Sequence, residues 1–354
     1  MVISLNAFTQ KYQVSGRLID IQTGVPISYA TVYINGTSNG AISDQEGIFN
    51  LNGVTLPSEL ILSHVSYQLK RISLQDPSLL ENLQFTLDPK IVLLEQATVI
   101  HDNLREVYLL QFKSWFLGAD YKKYRADILN DSALIFHIYE EDQFSVAANE
   151  PIIVDLPATG YRLKVDLVKF DLLYNTELSA YHCSILGYFF FNPVEPESPR
   201  KLRTIARNRT EHYYNSSMHF CRSLYHNQLA HNGYLFDQEC SPPKENTPGN
   251  SFMHSMKASY GQDEYGNQQL LLTGFTCKKF GIKFYYNARN RPVDLTYLDS
   301  NPTRIEQSGL RFMGDSIHIY PTGRIPGNSI LFSRTIATKG IASMLPEDYI
   351  PAMR

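Results

Sequence analysis

An all-β sandwich at the N-terminus followed by an α+β domain is the fold class that this sequence predicts. Three observations carry it: short alternating apolar runs separated by closely spaced turn residues, a high aromatic content of 23 tyrosines and 19 phenylalanines, and one later stretch with helical rather than strand periodicity. With 354 residues, two or three domains are expected. Apolar residues at 43% and charged ones at 19% place the chain among ordinary globular proteins.

Tyr12–Asp20 alternates apolar and polar residues as a half-buried strand does, and Gln22–Gly24 then turns the chain. Ala30–Ile34 is β-branched and aromatic. Asn35-Gly36 follows it as a two-residue hairpin signal, because both positions tolerate positive φ. Asp44–Gly47 reads as a turn before the strand Ile48–Leu51, since the calcium-loop spacing of oxygen ligands and terminal glutamate is missing. Further strands are expected at Leu60–Val65, Lys70–Leu74 and Leu83–Leu87. About seven short strands in this stretch leave no room for a helical layer.

Boundaries follow from these signals. Residues 1–10 read as the remnant of a signal peptide, with Ala7 and Thr9 forming a small-x-small pattern and no basic start. Residues 11–88 form the sandwich, 89–102 a connector with a strand-like Ile91–Ile100, and 103–354 the second domain. There, Asn103–Trp115 is predicted as an amphipathic helix, because Leu104, Val107, Tyr108 and Phe112 recur at three- and four-residue steps. Strands are expected at Ala133–Tyr139, Gln143–Ala148, Tyr161–Leu172 and Tyr181–Phe191. The apolar phase switches between Leu167 and Val168, which predicts a β-bulge. Ser198–His231 is the main helical region, broken at Asn215–Ser217; later strands are expected at Lys279–Tyr286, Val293–Tyr297, Ser316–Tyr320 and Ile330–Ser333.

The sandwich residues Val14, Gly16, Asp20, Thr23, Gly24, Pro26, Ile27, Ala30–Val32, Asn35–Thr37, Gly40, Ser43, Asp44, Gly47, Phe49, Ser63, Val65 and Tyr67 together carry a family likeness. In this register of glycines, prolines and turn acids the module resembles the carboxypeptidase regulatory-like domain of Bacteroidetes envelope proteins. The resemblance implies a prealbumin-like sandwich and an exported protein, located in the periplasm or at the outer membrane or cell surface. It transfers fold better than function, since such modules occur on transporters, peptidases and uncharacterised proteins alike. Arg207, Tyr213–Ser217, His219, Phe220, Arg222–Leu224, Gly233–Phe236 and the Leu345–Pro351 ending resemble the uncharacterised region that follows this sandwich in many such proteins.

Charge excludes some partners. Thirty-two basic against 35 acidic side chains, with no long run of either sign, give no bulk attraction for nucleic acid. No stretch approaches the roughly 18 apolar residues of a spanning helix. The four cysteines, Cys183, Cys221, Cys240 and Cys277, form no CxxC pair; buried thiols are the simpler reading, with a Cys240–Cys277 disulfide as the alternative in an exported protein.

No cofactor or metal is expected. The zinc carboxypeptidase ligand set is missing, and the single His-x-x-Glu, His137–Glu140, ends a strand on which residues three apart face opposite sides. His212, His219 and His226 would form a stripe on one continuous helix, yet about 10 Å separates each from the next. The basic helix start offers a better ligand site, because guanidinium groups grip anions bidentately. Arg203, Arg207, Arg209, Tyr213 and His219 are the candidate ligand-binding residues, against the alternative of a solvated helix face and core packing. The function expected is that of a non-enzymatic exported envelope protein whose sandwich contacts protein or glycan. The alternative is a hydrolase or metallopeptidase relative with its site on the Arg/His-bearing helix.

Overall fold

The computed structural model describes residues 10–90, 102–140, 142–176, 180–238, 256–297, 302, 304–326 and 329–351. The chain divides into two compact units, Thr9–Ile205 and a second that holds Ala206–Arg354.

The first unit begins with a seven-stranded sandwich. One sheet has the order β4-β1-β7, from Ile48–Val54, Tyr12–Asp20 and Leu83–Leu87; the other has the order β3-β2-β5-β6, from Gly40–Ile42, Thr31–Ile34, Ser58–Ser63 and Lys70–Leu74. β1 pairs antiparallel with β4 and parallel with β7. Val14, Leu18, Val32, Ile34, Phe49, Leu51, Leu60 and Leu62 fill the space between the sheets. Alternation along β1 puts Val14, Gly16 and Leu18 inward, as the sequence pattern requires. β2 and β5 do not alternate: Tyr33 and Ile61 point away from that core and are nevertheless fully buried.

What buries them is a third sheet in the same unit. Its strands are β8 (Asp127–Ile128), β9 (Leu134–Glu140), β10 (Gln143–Ala148), β11 (Ile152–Leu156), β12 (Tyr161–Asn175) and β13 (Ala180–Pro193), in the order β8-β11-β12-β10-β9 with β13 on the other edge of β12. The β12–β13 register shifts between Leu167 and Lys169, so Val168 is the bulge that the phase change indicated. Helix α1 (Asp102–Leu117) lays Tyr108, Phe112 and Phe116 on Phe136, Phe144 and Phe170 in a cluster of stacked and edge-on rings. A short helix, α2 (Tyr121–Tyr124), follows.

Asn35-Gly36 does not make a two-residue hairpin. β2 and β3 are paired, but their connection runs from Asn35 to Asn39, closed by Ile34 N–H to Asn39 O at 2.9 Å. The reason is a competing partner. Gly36 N–H donates to Phe189 O, Phe191 N–H donates to Thr37 O, and Asn35 Oδ1 accepts from Phe189 N–H at 2.9 Å, which attaches the turn to the edge of β13.

Helix α3 (Pro199–Tyr213) and α4 (Ser217–Tyr225) lie either side of the expected break. The helical region ends at Tyr225 instead of His231, because Asn227 takes a left-handed conformation at φ 52°. The second unit packs α4 on two antiparallel sheets. These are β14-β17-β18-β20 (Tyr234–Gln238, Lys279–Tyr286, Arg304–Phe312, Ile330–Arg334) and β15-β16-β19 (Lys257–Gln262, Gln268–Thr273, Ser316–Ile319), with the one-turn α5 (Thr335–Thr338) after β20. Phe220, Leu224, Tyr234, Leu272, Phe280, Phe312 and Ile317 are at its core. The strand expected at Val293–Tyr297 is a turn, since Asp294 Oδ1 captures Thr296 N–H at 2.9 Å and withdraws it from any ladder.

Cys277 is disulfide-bonded, which overturns the thiol reading for that residue, whereas Cys183 and Cys221 are free. Cys240 lies outside the described residues, as do the strand-like Ile91–Ile100 and the signal-like N-terminus.

Candidate functional site

The candidate residues of the helical region fall in different environments. Arg203 and Arg207 are exposed on α3, Arg207 lying 3.9 Å from Glu211 one turn on, and Arg209 is half-buried. Tyr213 and His219 are buried. His212, His219 and His226 do not form a stripe, because the break places them on α3, on α4 and at the α4 C-cap, the first two buried and the last exposed.

The break explains what His219 does. Asn215 reverses the chain at φ 55°, and Ser216 caps α4 by accepting from His219 N–H at 3.1 Å. The imidazole answers in the other direction: its Nδ1 accepts from Asn215 N–H at 3.2 Å, so Nδ1 carries no proton and the hydroxyl of Tyr234, 2.9 Å away, donates to it as well. Tyr213, Tyr214, Tyr234 and Phe284 surround the ring. Burial first, then the nearby Lys339 and Arg222 charges, lower the His219 pKa to about 3. A neutral imidazole committed to two donors is a structural pin.

Two cations complete this junction. Lys339 donates to the carbonyls of Tyr214 and Asn215 at 2.9 and 3.1 Å, satisfying acceptors just past the C-terminal end of α3. Arg222 donates from Nε to Thr322 O and from its two terminal nitrogens to Tyr349 O and Glu347 O, each at 2.8 Å. Its guanidinium also sits 5.6 Å from the Tyr213 ring centre. Arg222 thus binds the closing segment Glu347–Tyr349 to α4.

Proton linkage at His219 has a definite sign. Its folded value lies below the unfolded value of about 6.5, so its contribution is fully present above that pH and declines as pH falls towards 3. Stability of the second unit should therefore drop by about 2 kcal/mol between pH 7 and pH 5 through this group. Urea titrations at both pH values check this; in a His219→Gln variant that part of the slope should vanish.

A second polar cluster escaped the sequence reading. On β12, Asp166 accepts from Tyr33 Oη at 2.5 Å and from Ser63 Oγ at 2.8 Å, while Lys164 Nζ donates to Ser63 Oγ at 3.0 Å and lies 3.9 Å from Asp166. Tyr33 and Phe190 stack at 5.1 Å beside it. Burial, reinforced by the Asp166 charge, raises the Tyr33 pKa far above its ordinary range. Desolvation lowers that of Lys164, with Asp166 opposing. The cluster joins the sandwich to the six-stranded sheet, and Ser63 at 4% exposure is closed to any substrate. Only the period-two pattern of Lys164 and Asp166 on a strand could have signalled it.

On the sandwich surface, one aromatic is presented outward. Tyr29 holds φ at 60° and is 69% exposed. Its turn is fixed by the buried Ser43: Tyr29 N–H donates to Ser43 O, Ser43 N–H to Ala30 O, Ala30 N–H to Ser43 Oγ and Ser43 Oγ to Ile27 O, all at 2.8–2.9 Å. Four hydrogen bonds hold a conformation that non-glycine residues avoid. Ile42 and Ile48, 66% and 50% exposed, flank the same Ser43–Asp44 segment.

Comparison with known proteins places this seven-stranded sandwich beside a known domain. Residues 14–99 match the profile of the CarboxypepD_reg-like domain, so the chain carries a domain of that family. Among solved structures, a protein of unknown function from Bacteroides fragilis NCTC 9343, described as membrane-associated, aligns at 10% identity with a TM-score of 0.19, covering 53% of this chain and 84% of its own. A 9R-lipoxygenase from Cyanothece PCC8801 aligns at 12% identity and the same TM-score of 0.19, covering 60% of this chain and 48% of its own. No curated relative matches.

Proposed function

We propose that the chain is a non-enzymatic exported protein of the cell envelope, of the kind found in Bacteroidetes, whose sandwich contacts a protein or glycan partner through the Tyr29 turn. The observation that carries this reading is a strained turn, fixed by four hydrogen bonds around the buried Ser43, that holds the Tyr29 side chain in solvent. Tyrosine is a preferred anchor residue in interfaces, where a rigid ring gives large contact area at low entropic cost. The disulfide at Cys277 supports an oxidising compartment. The free thiols Cys183 and Cys221, their pKa values raised to about 12 by burial, make poor nucleophiles.

Screening the purified chain on peptide and glycan arrays tests the reading. Retention on one ligand class should weaken about tenfold or more in Tyr29→Ser, as loss of an anchor tyrosine does. Stoichiometric zinc in the protein, or turnover of peptides or glycans, would replace this reading with the hydrolase one.

A further inference from the structure

Helix α1 is apolar on two sides. Tyr108, Phe112 and Phe116 are spent on the sheet beneath. Leu104, Val107, Leu110 and Trp115 point elsewhere and are between 42% and 51% exposed. At 3.6 residues per turn these four fall within an arc of about 140°. Gln111 and Ser114, also in that arc, are uncharged, and Gln111 Nε2 donates to Asp142 Oδ1 at 3.0 Å. A helix facing only water carries charge there.

The chain that follows adds the opposite chemistry. Five to eight residues beyond the α1 end, Lys122, Lys123 and Arg125 are exposed. Lys122 and Lys123 lie 5.8 and 5.0 Å from the ring centres of Tyr121 and Tyr124. One acid, Asp120, approaches Lys123 at 3.7 Å, both being largely solvent-exposed. Apolar side chains, a tryptophan, two tyrosines and a surplus of cations arranged along a helix end are the features that an interfacial element uses at a lipid surface: the apolar stripe enters the acyl boundary, the aromatic rings sit at headgroup level, and the cations meet lipid phosphates.

We propose that the outer face of α1, together with the Tyr121–Arg125 segment, seats on an anionic lipid surface. The charge complementarity favours lipid over an apolar protein partner, which would offer no anion to Lys122 and Arg125. This contact is separate from the Tyr29 turn and does not depend on it. It peripherally attaches the first unit and requires no spanning helix; none of the helices among the described residues is long and apolar enough to cross a membrane.

Trp115 is the single tryptophan of the chain and lies in the face itself, so intrinsic emission reports the contact directly. Titration with vesicles of phosphatidylglycerol and phosphatidylethanolamine should shift the emission to the blue and co-sediment the protein, and added salt should weaken both effects. Lys122→Gln with Lys123→Gln should lower partitioning about 30-fold, at roughly a fivefold loss per cation. Val107→Ser with Leu110→Ser should lower it about tenfold or more. Both variants change exposed side chains and should melt as the parent protein does. Unchanged emission, equal binding to phosphatidylcholine vesicles, or full binding by the Lys122/Lys123 variant overturns the proposal. A blue shift with doubled mass in lipid-free buffer also overturns it and gives the face to a second copy of the chain.

Discussion

Asp166→Ala is expected to destabilise the first unit by about 3–5 kcal/mol, the cost of removing one partner from a buried charged cluster. The carboxylate accepts from both Tyr33 and Ser63, and it is the acid beside Lys164, whose side chain is 13% exposed. Without it, a tyrosine hydroxyl and an ammonium are left in a site where water cannot replace the lost acceptor. Urea unfolding followed by Trp115 emission reads this unit selectively, because the only tryptophan lies within it. Tyr33→Phe should cost less, about 1–2 kcal/mol, since Ser63 and Lys164 still serve the carboxylate. Lys164→Met in the Asp166→Ala background should recover part of the loss by removing the stranded charge. A cost below about 1 kcal/mol for Asp166→Ala would mean that apolar packing of Tyr33, Ile61 and Phe190 alone joins the two layers.

Arg222→Ala should cost the second unit about 3–4 kcal/mol and release its closing segment. Three charge-assisted hydrogen bonds run from one guanidinium to the carbonyls of Thr322, Glu347 and Tyr349, and each is worth about 1.5 kcal/mol or more. Gly323, at φ 84°, is the point where the chain can approach this arginine, for a Cβ there would sit 3.0 Å from Arg222 Cγ. Arg222→Lys should recover little, because an ammonium cannot address three carbonyls set by a planar fork. Hydrogen exchange measured by mass spectrometry is the readout: amides of residues 345–351 should exchange faster in Arg222→Ala and Arg222→Lys alike. Protection equal to that of the parent chain would show that Tyr349, beside Tyr213 at 5.9 Å between ring centres, holds the segment by ring packing.

Local chemistry in the chain was enough to read the sandwich. β1 alternates because one of its faces meets a core, Asp44 makes a turn because its carboxylate takes the amides of Glu46 and Ile48, and Asn215 breaks the helix because it tolerates a left-handed backbone. The Val168 bulge appeared as a change of apolar phase for the same reason, since side-chain direction along a strand depends on nearest neighbours alone.

The candidate site was legible only in part. Tyr213 and His219 were found as unusual residue types, but their meaning depends on Tyr234, Glu306 and Lys339, which come from strands and turns far along the chain. Asn215 illustrates this, for its side-chain amide donates to Glu306, which also accepts from Tyr286. The Asn35-Gly36 turn went astray for a similar cause: its intrinsic hairpin preference, a matter of backbone φ, yielded to three hydrogen bonds with β13. The non-alternating strands Thr31–Ile34 and Ser58–Ser63 carry an apolar residue on each face, which marks them as strands without showing what lies beyond Tyr33 and Ile61.

The alternating strand Tyr12–Asp20, the Asp44 turn, the helix break and the bulge therefore belong to the sequence, because each is settled by a few neighbouring residues and the conformations they allow. Tertiary packing chose the partners. It turned His219 from a potential ligand into a neutral pin, gathered Asp166, Lys164, Ser63 and Tyr33 from separate strands, and left one face of α1 uncovered among the described residues. Such outcomes are fixed by which surfaces desolvate together, and that depends on the whole fold, not on any one segment of it.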